Sequence, residues 1–317
     1  VTDAYRVEPI SEERFPSLIP LMRDAFGDDV DVDFFRWKYF ANPAGPVIGN
    51  IALAEGSSEV AAFYGMIPEV YRWGNDTLRL YQSCDTMTHS RHRRKGLFQK
   101  LALQTYVEGG AADANFCAIG FGGETSTPGF LKMKWRIEFE IPYLIKPRLL
   151  NFATRWRLGD ACVVSDKVSD ELVGLINENE ARRPRSKVLD EAFIQWRLAN
   201  PLHAYRYAVD PGNGYAIFYR SGSLIHVFDF WEASPGAGRR VMAALIEASG
   251  ASGVRGCLTF CQPGSTFYDQ LRRYGFLRNP LGRGPASSTI PFITYGSFPH
   301  GSGPDAWAIT PFDHDSF

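Results

Sequence analysis

Asp85-Thr-Met-Thr-His-Ser-Arg-His-Arg-Arg-Lys-Gly-Leu-Phe98 is the stretch on which the fold turns. A strand-like run ending near Thr88 meets four cations, Arg91, Arg93, Arg94 and Lys95. Gly96 follows, and a helical pattern of apolar residues begins. Cations at a helix N-terminus oppose the helix dipole, which already places about +0.5 charge there. The first backbone N–H groups of a helix also lack intrahelical partners. One phosphate answers both needs. The segment from Arg93 to Phe98 therefore reads as a phosphate cradle, with Gly96 letting the backbone approach an anion without a Cβ in the way.

Working outward, periodicity and turn residues predict helices over 11–26 and around Trp37. Strands are expected over 51–55, 60–73 and 78–88, separated by Gly56-Ser-Ser and Gly74-Asn-Asp. A helix over 96–107, a strand over 115–120, a short helix near 128–133 and a strand pair near 137–145 complete the first half. A second pattern follows after a connector at 149–186. It has strands over 205–209, 215–219 and 224–231, a helix over 239–248, a strand over 256–260 and a helix over 266–274. The tail from 290 to 317 is expected to supply the last strand. Mixed β and α order predicts a central sheet flanked by helices, an α/β fold.

The two halves share a signature. Phe34-Phe-Arg-Trp37-Lys38-Tyr-Phe-Ala-Asn42-Pro43 is echoed by Phe193-Ile-Gln-Trp196-Arg197-Leu-Ala-Asn200-Pro201, with one residue fewer in the second copy. Each reads as a short amphipathic helix stopped before proline. This points to a tandem duplication, and 317 residues suit two domains of about 150 each.

Net charge is −1, so no global field draws nucleic acid or an anionic membrane, and any anion site must be local. The five cysteines are scattered, form no CxxC and do not cluster with the six histidines. Reduced thiols in a cytoplasmic protein are expected, with neither a disulfide framework nor a zinc site. No leader is visible, and no apolar run approaches the roughly 18 residues of a membrane span.

The order strand, cation–Gly loop, helix, strand, helix, strand pair resembles the GCN5-related N-acetyltransferase (GNAT) superfamily. Arg93-Arg-Lys-Gly96-Leu-Phe98 matches the first two fixed positions of its CoA signature, (Gln/Arg)-x-x-Gly-x-(Gly/Ala). Phe98 departs from the third. The run Asp85 to His89, the pair Gly120-Phe121, Ser126-Thr-Pro-Gly-Phe130 and Trp135 resemble a subgroup of larger two-domain members. Where Asn commonly follows Gly-Phe-Pro in that subgroup, this chain has Gly122-Gly123. The resemblance covers most of residues 5–145. In copy two, Phe267-Tyr-Asp-Gln-Leu-Arg-Arg-Tyr-Gly-Phe276 resembles the superfamily's late helix. The resemblance implies two tandem GNAT-like acyl-CoA N-acyltransferase domains on a mixed sheet. Residues 1–148 bind acetyl-CoA, and residues 149–317 are a degenerate copy that walls the acceptor site.

The resemblance also implies acetyl-CoA as co-substrate, with no metal. Amides of Arg93, Arg94, Lys95, Gly96, Leu97 and Phe98 would hold the pyrophosphate, and backbone groups of Met87 and Thr88 would pair with the pantetheine arm. An N–H on that strand would stabilise the oxyanion. Asp85 is the first candidate base, two residues from Met87 and so on its strand face. Glu124, after the Gly-Phe-Gly-Gly turn, is the second. His89, at the start of the loop, is read as structural. The Tyr that commonly protonates the leaving thiolate falls on Phe130. Either Tyr64 or Tyr81 substitutes, or the thiolate leaves without a protein acid, which a thiol pKa of about 8.5 permits. In copy two, Glu232-Ala-Ser-Pro-Gly-Ala-Gly-Arg-Arg240 keeps only a vestige of the loop, so one CoA is expected rather than two. Glu232, Asp313 and Asp315 are candidates to meet a cationic amine.

The reading is an N-acetyltransferase acting on a primary amine of a small molecule, an amino sugar being one form, by direct attack in a ternary complex. Its alternatives are a non-catalytic acyl-CoA-binding sensor or structural protein, and a tRNA-dependent aminoacyl or peptidyl transferase. A nucleic-acid contact by Arg91 to Lys95 ranks last, because no aromatics interleave with those cations.

Overall fold

The computed structural model describes residues 5–148, 162–180, 186–250, 253–279, 287–298 and 307–315. The first half runs β1 (Tyr5–Pro9), α1 (Phe15–Phe26), α2 (Val32–Phe35), a π-helical turn (Arg36–Phe40), β2 (Ile48–Ala54), β3 (Val60–Trp73) and β4 (Asp76–Thr88). A 3₁₀ turn (Ser90–His92), α3 (Leu97–Ala112), β5 (Ala118–Phe121), α4 (Thr127–Lys132) and β6 (Arg136–Pro147) follow. The second half runs β7 (Val163–Ser165), α5 (Asp170–Glu180), α6 (Glu191–Leu198), β8 (Arg206–Asp210), β9 (Gly214–Ser221) and β10 (Leu224–Glu232). It closes with α7 (Pro235–Ala248), β11 (Gly256–Phe260), α8 (Thr266–Arg273), β12 (Leu277–Arg278) and β13 (Thr289–Tyr295).

The strands form one mixed sheet in the order β1-β2-β3-β4-β5-β13-β6-β11-β10-β9-β8-β7, with β12 paired to β6. The strand pair expected near 137–145 is a single strand, β6. Its partner across Ile141↔Ile290 is β13, from the far end of the chain. The C-terminal part of β6 leaves the first half and pairs with β11 and β12 of the second. Each half thus borrows a strand from the other. A hairpin reading fails here because a strand remote in sequence takes the place beside β6.

Helices cover both faces of the first half. Phe15, Leu18, Leu21 and Met22 of α1 pack with Phe35, Tyr39 and Phe63 on one face. Leu97, Leu101, Ala102 and Tyr106 of α3 pack with Tyr64, Phe130 and Trp135 on the other. The i, i+4 spacing of Leu97–Leu101 and Ala102–Tyr106 is what aims them at one face. β1, β7 and α5 were not anticipated, being short or weakly patterned.

The duplicated signature meets itself. Trp37 and Trp196 stack with ring centroids 5.4 Å apart. Each indole N–H donates to the other's backbone carbonyl, at 2.7 and 2.8 Å. Asp31 and Asp190 cap their helices alike, accepting from Phe34 and Phe193. The extra residue of copy one is absorbed as the π turn. Ala41 N–H reaches back five residues to Arg36, whereas Ala199 reaches back four to Gln195.

Candidate functional site

β4 and β5 run parallel and pair only at Tyr81↔Ala118 and Gln82↔Ile119. Beyond that point they part, and the rest of β4 has no β5 partner. A cavity of about 240 Å³ opens in the wedge. Its walls are Ser83 to Thr86 of β4, Gly120 and Phe121 of β5, the turn and helix residues Gly123, Thr125, Ser126 and Phe130, Phe26 at the end of α1, and His314 and Asp315 from the C-terminal segment.

The cradle lies at the far end of β4. Gly96 has φ +75° and precedes α3, whose start carries no side-chain cap. Nothing lies within 4 Å of where a Gly96 Cβ would stand, so glycine serves the backbone conformation and leaves open space before the helix. Arg94 also takes a left-handed conformation, φ +63°. Arg93, Arg94 and Lys95 are exposed, and Arg93 donates to the Thr88 carbonyl at 3.3 Å. Arg91 is engaged elsewhere, paired with Glu59 at 2.6 Å. The His89 ring accepts from the Arg91 N–H, and Ser90 donates twice to Asp24, holding that carboxyl below its ordinary pKa. Phe98, the departure from the signature, packs edge-on against Phe130 at 5.1 Å. Gly129 makes room for it: a Cβ there would stand 2.5 Å from the Phe98 ring.

Met87 is buried in the core beneath α1 and α2, and Thr88 is half-buried. Neither side chain lines the cavity. Asp85 does, but strict alternation does not place it. A bulge shifts the β3–β4 register between Phe63 and Gly65, and Asp85 itself has φ +42°. That geometry turns its carboxylate toward the π turn. Lys38 Nζ lies 2.6 Å from Asp85 and 2.8 Å from Asp315, and Tyr39 OH donates to Asp85 at 2.8 Å. Gln82 donates to Asp315 at 3.4 Å. Burial pushes the Asp85 carboxyl up, opposed by Lys38, and the net shift is upward. Burial works against the Lys38 charge, but the two carboxylates outweigh it and the ammonium is retained.

Other predicted residues stand apart. Glu124 is exposed and does not line the cavity, although Gly123 and Thr125 beside it do. Tyr64 is fully buried, bonded to Tyr106, and held well above its ordinary pKa by burial. Tyr81 packs at a tilt against Phe116, and neither tyrosine lines the cavity. Burial likewise raises the Cys84 thiol well above its ordinary value. Asp313 accepts from Tyr71 and closes a capping box with Thr310. Asp315 alone of the three candidate acceptor acids reaches the wedge. Glu232 lies in the second half against Tyr274 and Arg273.

That second half keeps the splay, β10 and β11 pairing only at Leu224↔Gly256 to His226↔Leu258. Its helix start is filled from within. Ser234 caps α7, Pro235 occupies the first helical position, and the Glu232 carboxylate lies where a Gly238 Cβ would stand.

Sequence reading missed Lys38, Tyr39, Ser83, Phe26 and His314. The Trp-(Lys/Arg) pair of the duplicated signature holds the signal for Lys38, although by pattern alone it marks only a helix end. His314 had none, since only the tertiary path of the tail brings it here. Burial depresses its imidazole to about 4.

A parallel strand pair splays beside an uncapped, glycine-led helix start. Residues 6–118 match the family model described as the Acetyltransferase (GNAT) domain. Among solved structures, a tandem GNAT protein from the clavulanic acid biosynthesis pathway is 12% identical. The match covers 94% of this chain and 100% of that one, at TM-score 0.63. A GCN5-related N-acetyltransferase from Kribbella flavida is 14% identical over 92% of this chain and 71% of its own, also at TM-score 0.63. One from Anabaena variabilis is 12% identical over 92% and 72%, at the same TM-score. Identities this low speak for the fold, which is therefore that of tandem GNAT proteins. No curated protein matches. No helix among the described residues is long and apolar enough to cross a membrane.

Proposed function

We propose that this chain is an acyl-CoA-dependent N-acyltransferase that moves an acetyl group to a primary amine of a small molecule. The observation that carries the reading is the wedge between β4 and β5 opening into a lined cavity, with the uncapped start of α3 at the end of the same strand. CoA supplies an activated thioester. Amides from Arg93 to Phe98 would hold its pyrophosphate, with Arg94 and Lys95 exposed beside them. The unpaired backbone of β4, Met87 and Thr88 included, would align the thioester arm. Asp85, with its raised pKa, suits a base that takes the acceptor's proton. Glu124, outside the cavity wall, is left without a role in this reading.

The filled start of α7 supports one CoA per chain, bound by residues 1–148, with residues 149–317 as the degenerate copy. An amino sugar is one acceptor of suitable size and charge. The five cysteines are free, which suits a reducing compartment such as the cytoplasm. One observation favours the sensor reading: Phe130, not a tyrosine, lines the place of the usual acid. A thiolate of pKa about 8.5 leaves without one, so catalysis stands as the first reading.

Calorimetric titration with CoA and with acetyl-CoA tests it, alongside thiol release over a panel of amino sugars, aminoglycosides and polyamines. Gly96→Asp puts a carboxylate at the cradle and should abolish CoA binding; unchanged affinity would refute the placement. Asp85→Asn should lower turnover by about 100-fold or more with CoA affinity kept. CoA binding without turnover on any amine would favour the sensor.

A further inference from the structure

We propose that the C-terminal segment completes the acceptor end of the wedge: Asp315, held against Asp85 by Lys38, is the second of two carboxylates that seat the acceptor's ammonium group. Lys38 is the positioning residue for both. The proposal rests on the acyl-transfer reading above and adds a residue from the other end of the chain to it.

Four observations lead here. Asp85 and Asp315 line one cavity although 230 residues separate them in the chain. The Lys38 ammonium is shared between them, at 2.6 and 2.8 Å. Tyr39 and Gln82 donate to the pair as neutral groups, and the His314 ring stands 3.7 Å from Asp315. Ser83 lines the same cavity and is 9% exposed, its hydroxyl beside that of Tyr64. An ammonium brings three donors, enough for both Asp85 and Asp315. Phe26, Phe121 and Phe130, which line the same cavity, would take the carbon skeleton.

Ligand atoms of Cys84, Asp85 and Asp315 lie within 4.8 Å of one another. The cation between the two carboxylates of this group is the Lys38 ammonium. The π turn explains how Lys38 gets there. The extra residue in copy one lets two successive side chains, Lys38 and Tyr39, both reach Asp85. In copy two Arg197, in the equivalent place, donates instead to the His314 carbonyl at 2.8 Å. The paired cations of the duplicated signature thus grip adjacent residues of the tail.

The step balances as follows. The bound ammonium gives one proton to the carboxylate pair and becomes a free amine. Its nitrogen attacks the thioester carbonyl carbon. The C–N bond forms, the C–S bond breaks, and the second proton leaves with the sulfur as thiol. The carboxylate pair returns its proton to solvent.

The test uses the full chain saturated with CoA and n-butylammonium chloride as the probe, with butan-1-ol as the uncharged control. Calorimetry should show the ammonium binding and the alcohol binding much more weakly. Asp315→Asn should weaken ammonium binding by about 30-fold while CoA affinity and melting temperature stay near wild type. Lys38→Met, or Lys38→Met with Asp315→Asn if the single variant does not fold, should shift KM for any amine turned over, and Lys38→Arg should restore it in part. CoA binding with no ammonium binding, or equal binding by Asp315→Asn, overturns this proposal and leaves the acyl-CoA reading standing. Loss of CoA binding by the wild type overturns both.

Discussion

At the scale of single residues, burial rather than charge pairing sets several protonation states. His226 and His314 are each depressed to about 4, and desolvation is the leading cause in both. An imidazole that is neutral in the fold and protonates near 6.5 when unfolded makes unfolding take up protons between those values. Its contribution is whole above pH 6.5 and is lost as pH falls toward 4. Carboxyls raised by burial, such as Glu69, act with the opposite sign, so a variant isolates the effect. His226→Phe keeps the stack on Tyr219 and removes the titrating group. Between pH 7 and pH 4 the wild type should lose about 2–3 kcal/mol relative to this variant, read by urea unfolding at each pH. An unchanged difference would show that His226 protonates freely in the fold.

At the scale of elements, Phe98 and Gly129 form a matched pair across α3 and α4. The signature position that usually carries Gly or Ala holds a phenylalanine here, and the glycine sits on the facing helix instead. Gly129→Ala sets a Cβ 2.5 Å from a rigid ring, and should cost about 1–3 kcal/mol by overpacking. Phe98→Ala opens the same space from the other side. The double variant should therefore be more stable than the two single losses sum to, by thermal or denaturant melting. Strictly additive losses would place the two side chains out of contact. The sequence carried both residues, but nothing in it paired them, because the contact crosses from one helix to another.

At the scale of the molecule, the exchange of strands makes the halves interdependent. β13 fills the place between β5 and β6, with Phe292 and Ile293 fully buried. A fragment of residues 1–148 would leave those edges open and that core unfilled. It should melt without a cooperative transition by circular dichroism, and co-expression with residues 149–317 should restore one. A cooperative fragment would show that β13 is dispensable. The same exchange brings the tail back to the first half and sets Asp315 beside Asp85.

The sequence by itself determined what local chemistry determines. The cation–glycine loop, the helix after it and the strand before it follow from charge, turn propensity and periodicity over a dozen residues. So does the duplication, with its one-residue difference in length, whereas the π turn that absorbs the extra residue is seen only in the fold. The placement of Asp85 was only half legible, since a bulge and a left-handed backbone, not alternation, aim its carboxylate. Only the tertiary structure decided which strands share the sheet, that Trp37 meets Trp196, and that Lys38 joins two acids from opposite ends of the chain. Those contacts depend on where strands distant in sequence settle, and local propensity does not encode that pairing.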